Sequence, residues 1–156
     1  FRAIHEGYWK EYTNRLIERV DDTLYRDFKI NFIIEDFVEW QSDDQSSREI
    51  LQELRREWSD GTYDLVIGFT NDPNFEIPSG RAIPWSVESI VKHRQSTYQL
   101  WRLILHEVGH NYGLRHCDVN VQGYCILNGY SDKVDTFCDY HKDILKENIH
   151  LHGTPQ

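Results

Sequence analysis

The chain predicts an α/β (α+β) domain, a twisted mixed sheet with helices packed on it, and three observations carry that expectation. Apolar residues recur at steps of three and four over 8–25 and 48–58, they alternate in twos over 28–40, and the resulting order along the chain is helix, strand, helix, strand. Helices that alternate with extended segments are what a sheet covered by helices requires, because crossovers join parallel neighbours. A length of 156 residues suits one compact domain with its own core and leaves little room for a second.

Each element has a local cause. Tyr8, Trp9, Tyr12, Leu16, Val20 and Leu24 form one face of a helix whose other face is charged. Over 28–40, Phe28, Ile30, Phe32 and Ile34 lie to one side and Lys29, Asn31 and Ile33 to the other, the pattern of a half-buried strand ending at Trp40. A polar loop over 41–47 leads to a second helix, 48–58, through Ile50, Leu51, Leu54 and Trp58, which Ser59-Asp60-Gly61 ends. Residues 64–70 read as a strand, 71–79 as a loop with two prolines, and 81–87 as a short strand in which Pro84 suits an edge. Ser96 and Gln99 have the spacing of a capping box, and Leu100, Trp101, Ile104, Leu105 and Val108 continue a helix that Gly113 should end. A last helix is expected over 139–148. The parts before and after residue 113 then read as the upper and lower walls of one 1–156 domain.

Composition excludes some classes of function. Lys and Arg number 17 against 26 Asp and Glu, and a net charge of −9 repels a phosphate backbone, so nucleic acid is not an expected partner. No apolar run approaches the roughly 18 residues that span a bilayer. The chain has no methionine, so it reads as a processed form or an excised domain, with any signal or pro-segment removed. Phe1 to Lys10 is not a signal peptide.

The chemistry concentrates in His106-Glu107-Val108-Gly109-His110-Asn111-Tyr112-Gly113-Leu114-Arg115-His116, an HExxHxxGxxH pattern. His106 and His110 are one helical turn apart, so both imidazoles project from one face and can reach one ion at about 2.0–2.1 Å. Glu107 points elsewhere, which suits a carboxylate that holds a water on the metal rather than the metal itself. Gly113 lets the chain leave the helix through a left-handed conformation, and His116 can return as third ligand. Three protein nitrogens leave a fourth position open, the mark of a catalytic zinc, with Glu107 as the base that activates water for attack on a peptide carbonyl. Five fixed positions arise by chance in very roughly one chain in 10⁵.

This stretch resembles the zinc-binding helix and turn of metzincin metallopeptidases. The order of the upper elements is similar to adamalysin-like (reprolysin) peptidases, and Gly80-Arg81-Ala82 sits where they place the edge strand that aligns substrate. The resemblance implies a zinc endopeptidase acting on peptide or protein, the zinc helix beneath a horizontal cleft, a small irregular C-terminal subdomain, and an aligning role for Arg81 and Ala82. Cys125-Ile126-Leu127-Asn128-Gly129 resembles the family's methionine turn with Leu127 in the methionine place, a nearly volume-conserving departure. Tyr130 has the wrong offset for the tyrosine that some metzincins use and receives no role.

Cys117, Cys125, Cys138 and His141 read C-x7-C-x12-C-x2-H, suited to a closed structural zinc. This resembles the second, cysteine-bound zinc of archaemetzincins, although the spacing differs and His141 stands where they have a cysteine. The competing reading is a disulfide, Cys117 or Cys125 with Cys138, as in adamalysin-like peptidases, with one thiol left over. The first implies a reducing, intracellular setting with two zinc ions, the second export with one; the upper half of the chain leans to export. No cysteine precedes the motif, so latency through a cysteine would need a pro-segment. His5, His93, His150 and His152 have no ligand spacing and read as surface residues. Two rivals stand beside a peptidase: a catalytically silent, zinc-stabilised binding module of the same fold, which has no need of Glu107, and an interaction module built on the cysteine cluster, which would survive loss of His106.

Overall fold

The computed structural model describes residues 5, 7–42, 46–58, 60–76, 79–118, 124–128 and 134–153. Its helices are α1 (Trp9–Phe28), α2 (Ser47–Trp58), α3 (Thr97–Asn111) and α4 (Asp139–Asn148), with a short 3₁₀ turn at Ile149–Leu151. Its strands are β1 (Val66–Thr70), β2 (Gly80–Ala82) and β3 (Glu88–Lys92), in the order β1-β3-β2. β3 is parallel to β1 and antiparallel to β2, so the sheet is mixed and β2 is an edge.

The helices follow the sequence periodicity closely. Leu16, Val20 and Leu24 of α1 are fully buried and share a core with Leu100, Ile104, Leu105 and Val108 of α3, into which Val91 of β3 also packs. On the other face of the sheet Ile50, Leu51 and Leu54 of α2 pack on Ile90. Gly68 permits that approach, because a Cβ there would stand 2.9 Å from Ile90 Cγ2, 3.1 Å from Leu54 Cδ2 and 3.2 Å from Trp40 Cζ2.

The extended segments depart from expectation in three places. Residues 29–41 form no strand, although Ile30 is buried, Phe32 and Ile34 are half-buried and Asn31 and Ile33 are exposed. Alternation reports where side chains go, and here they go to the core while the Phe32 amide donates to Asp21 Oδ1 at 2.6 Å instead of to a ladder. The strand expected over 81–87 stops at Ala82; Pro84 and Trp85 form the turn of a hairpin, and the central strand is Glu88–Lys92, which the reading missed. Its residues Glu88, Ser89, Ile90 and Val91 are buried on both faces, so no period-2 signal marks it. The link between parallel β1 and β3 contains the edge strand rather than a helix.

The α3 helix is closed at both ends as the sequence implies. Ser96 Oγ accepts from the Gln99 amide at 3.4 Å. At the other end Gly113, at φ +81°, donates to His110 O at 2.8 Å and Leu114 donates to Gly109 O at 3.1 Å, the paired bonds of a Schellman motif. The C-terminal segment then braces this turn: Asn148 Nδ2 donates to Tyr112 O at 2.8 Å, and His152 Nε2 lies 3.0 Å from Asn111 O. Among the other histidines His150 is exposed, but His5 is only 7 % exposed and stacks on Tyr12 at 4.0 Å, so it is not a surface residue.

Candidate active site and metal centres

α3 carries His106, Glu107 and His110, and the turn after it delivers His116, so the three imidazoles converge. His110 Nε2 lies 3.1 Å from His106 Nε2 and 3.2 Å from His116 Nε2. The opposite ring nitrogens decide what these contacts are. His106 Nδ1 is 2.8 Å from Ile126 O and His110 Nδ1 is 2.7 Å from Leu114 O, and since a carbonyl can only accept, both Nδ1 atoms carry the proton. The two Nε2 atoms therefore face each other with lone pairs and no proton between them, an arrangement that is repulsive unless a cation lies among them. Two nitrogens each about 2.0–2.1 Å from a tetrahedral zinc stand about 3.3 Å apart, so the donor set suits that ion.

The electrostatics agree. Burial, with the charge of His110 added, drives His106 down to about 3, and burial also lowers His110. Both shifts favour the neutral ring, the form that binds metal. Burial pushes the Glu107 carboxyl up to about 8, against a smaller downward pull from Arg81. A divalent cation among the histidines would lower it again. Glu107 is 4 % exposed and packs on Gly80 of the edge strand: a Cβ at that glycine would touch Glu107 Oε1 and lie 2.8 Å from Cδ and 2.9 Å from Cγ.

Leu127 is fully buried, and a Cβ added at Gly109 would stand 3.1 Å from its Cδ2 and 3.0 Å from Phe137 Cε1. It thus lies against α3 between the two histidine positions. Gly129 and Tyr130, and residues 119–123 of the stretch beside the cleft, lie outside the described residues. The Arg81 side chain is engaged at the start of α2, with Nε donating to Ser47 Oγ at 2.9 Å and the guanidinium 3.7 Å from Glu76 Oε1. Its main chain faces β3, because Lys92 N→Ser79 O and Ile83 N→Glu88 O mark 79, 81 and 83 as the hydrogen-bonded positions. Gly80 and Ala82 are the residues whose main-chain N–H and C=O groups turn to the open edge.

A second convergent group lies next to the first. Cys117, Cys125, Cys138 and His141 are all buried, and their ligand atoms fall within 4.8 Å of one another. No disulfide joins the cysteines, with Cys117 Sγ 3.7 Å from Cys138 Sγ, where a disulfide would need about 2.05 Å. His141 Nδ1 is 3.4 Å from Cys125 Sγ and 3.2 Å from Cys138 Sγ. Two sulfurs at about 2.3 Å from a tetrahedral zinc stand about 3.8 Å apart, so this set also suits the ion. Burial raises the Cys125 thiol and pushes Cys117 up to about 12, with the neighbouring thiols adding to it.

A reprolysin model of metallo-peptidase family M12 matches residues 1–142. The chain belongs to metallo-peptidase family M12. The family is one of zinc metallopeptidases, and both candidate centres suit zinc. In fold the family member is similar to archaemetzincin from Methanopyrus kandleri, with a TM-score of 0.68 at 20 % identity over 88 % of this chain and 87 % of that one. Archaemetzincin from Archaeoglobus fulgidus, solved in complex with malonate, gives 0.51 at 18 % identity over 83 % and 92 %. No curated protein matches the chain. Among the described residues no helix is long and apolar enough to cross a membrane.

Proposed function

We propose that this chain is a zinc endopeptidase with His106, His110 and His116 as metal ligands and Glu107 as its base. The observation that carries the proposal is the pair of Nε2 atoms facing each other at 3.1 Å beside a buried Glu107, with each Nδ1 against a main-chain carbonyl. A zinc ion bound there supplies a Lewis acid and a water whose pKa falls toward about 7. Glu107 takes the proton of the attacking water at its carboxylate and passes it to the leaving amine, and its apolar surroundings keep it basic enough to do so. The peptide lies extended along β2, where main-chain groups of Gly80 and Ala82 pair with it and hold the scissile carbonyl above α3. Arg81, whose main chain is engaged with Ile90, supports the strand from the side of α2 rather than touching substrate.

Cys117, Cys125, Cys138 and His141 are read as a second, structural zinc site, which three cysteines without a disulfide at these distances support. That favours a reducing compartment over export.

The test is digestion of an unfolded protein by the zinc-loaded chain, with fragments mapped by mass spectrometry. Internal cuts are expected from the wild type, and Glu107→Gln should lose about 10²–10⁴-fold in rate while keeping its zinc. Trimming from the ends alone would make it an exopeptidase. A variant as active as the wild type, or a zinc-loaded wild type that cuts nothing, would overturn the proposal, the latter in favour of a silent binding module.

A further inference from the structure

The two ligand groups are not merely neighbours; they share backbone. His116 and Cys117 are consecutive, so one peptide unit carries a ligand of each. His106 and His110 ride on α3, whereas His116 is exposed and lies beyond the helix, so its aim depends on the chain around it. That chain runs directly into the cysteine group at Cys117. Cys117 N donates to Leu127 O at 2.9 Å, and the Arg115 backbone lies near enough to the His141 ring to oppose the lowering that burial imposes on it. Nδ1 of His141 faces the sulfurs, 3.4 Å from Cys125 Sγ and 3.2 Å from Cys138 Sγ.

A second connection runs to His106. The carbonyl that accepts from its Nδ1 belongs to Ile126, the residue after Cys125. Ile126 N in turn donates to Thr136 O at 2.8 Å, and Cys138 N lies 3.3 Å from Cys125 Sγ. The segments around 117, 125 and 138–141 meet at the cysteine group, so an ion there would close the loops between them and fix the Ile126 carbonyl and the Arg115 to Cys117 backbone together.

We propose that the Cys117–Cys125–Cys138–His141 centre positions the histidine triad, so that filling it sets the His106 tautomer and the aim of His116 and thereby raises the triad's affinity for its own metal. This rests on both groups binding metal, as read above. Partners that orient a metal-binding histidine are worth about 10–100-fold in metal affinity, and by linkage the effect runs in both directions.

The experiment uses the whole chain, reduced and metal-free under anaerobic conditions, with cobalt(II) as probe. Thiolate-to-cobalt charge-transfer bands report the cysteine centre, visible ligand-field bands report both, and a competing chelator gives the affinities. In Cys138→Ser, with helix content unchanged by circular dichroism, the triad should bind cobalt about 10–100-fold more weakly. His141→Cys separates positioning from folding, since it keeps a four-ligand centre but removes the imidazole that lies beside the Arg115 backbone. Its charge-transfer band should persist while triad affinity falls, and the ¹⁵N shifts of His106 should still report a protonated Nδ1. Unchanged triad affinity in both variants would overturn the proposal. Should Cys138→Ser fail to fold, the wild-type titration decides: cooperative filling supports the coupling, and a triad that saturates before any charge-transfer band appears refutes it. A chain that takes no cobalt at the triad under any loading would instead sink the metal reading itself, and this proposal with it.

Discussion

Gly80→Ala should cripple the enzyme without emptying its metal site. A Cβ at residue 80 would touch Glu107 Oε1 and stand 2.8 Å from Cδ and 2.9 Å from Cγ. Ordinary carbon contacts are about 3.5–4.0 Å, so the carboxylate or the strand must move by about 1 Å. Neither can do so freely, because Glu107 is 4 % exposed and Gly80 is held opposite Val91 in the sheet. A displacement of about 1 Å in a catalytic group costs about 10²-fold in rate, and overpacking of this kind costs about 1–3 kcal/mol in stability. The loss should appear in kcat rather than KM, since a base acts in the transition state and the main-chain groups of residue 80 remain in place. The assay is hydrolysis of an internally quenched peptide by zinc-loaded protein, with zinc content and Tm measured on the same sample. A kcat within about twofold of wild type would refute the claim that the edge strand seats the carboxylate.

Other perturbations test other parts. Gly113→Ala forces a left-handed residue at φ +81° against the Trp85 ring, whose nearest atoms would lie 2.6 Å from the new Cβ. The backbone strain alone costs about 1–2 kcal/mol, and Tm should fall by about 2–4 °C for each of these, read by calorimetry. Leu127→Met should change stability by less than about 1.5 kcal/mol in chemical denaturation, because volume is conserved in the contact with Gly109. Bonds from the Ser47 amide and hydroxyl hold the Glu76 carboxyl down at about 2. A carboxylate whose pKa is depressed by folding contributes stability above its unfolded value, and that contribution is lost as pH falls from about 4.5 toward about 2. Glu76→Gln should therefore lie below wild type in Tm at pH 6 and converge on it in acid. Removal of bound zinc by a chelator should expose Cys117, Cys125 and Cys138 to alkylation, read by mass, whereas the loaded chain resists it.

The helices and the convergence of the three histidines were legible in the sequence because both rest on local spacing. Helical period located α1 and α2, and the Ser96 and Gly113 signals located both ends of α3, where the cap and the positive φ are found. The histidine spacing likewise placed three rings in one group. Strands were less legible, because pairing depends on partners far away in the chain. Residues 29–41 alternate for packing against the core and form no ladder, while β3 is buried on both faces and shows no alternation. The same limit hid the meeting of Gly80 with Glu107, since nothing in the order of residues places an edge-strand glycine against a helix residue 27 positions later. The left-handed Trp85 over Gly113 was equally invisible.

The most direct measurement is native mass spectrometry of the zinc-loaded chain, followed by denaturation without reductant and alkylation. Two zinc ions on the folded chain, and three alkylated thiols after unfolding, are the expected result, with His110→Ala lowering the count by one. A chain that retains no zinc at neutral pH after careful loading would contradict the central claim that the facing histidine nitrogens hold a catalytic metal.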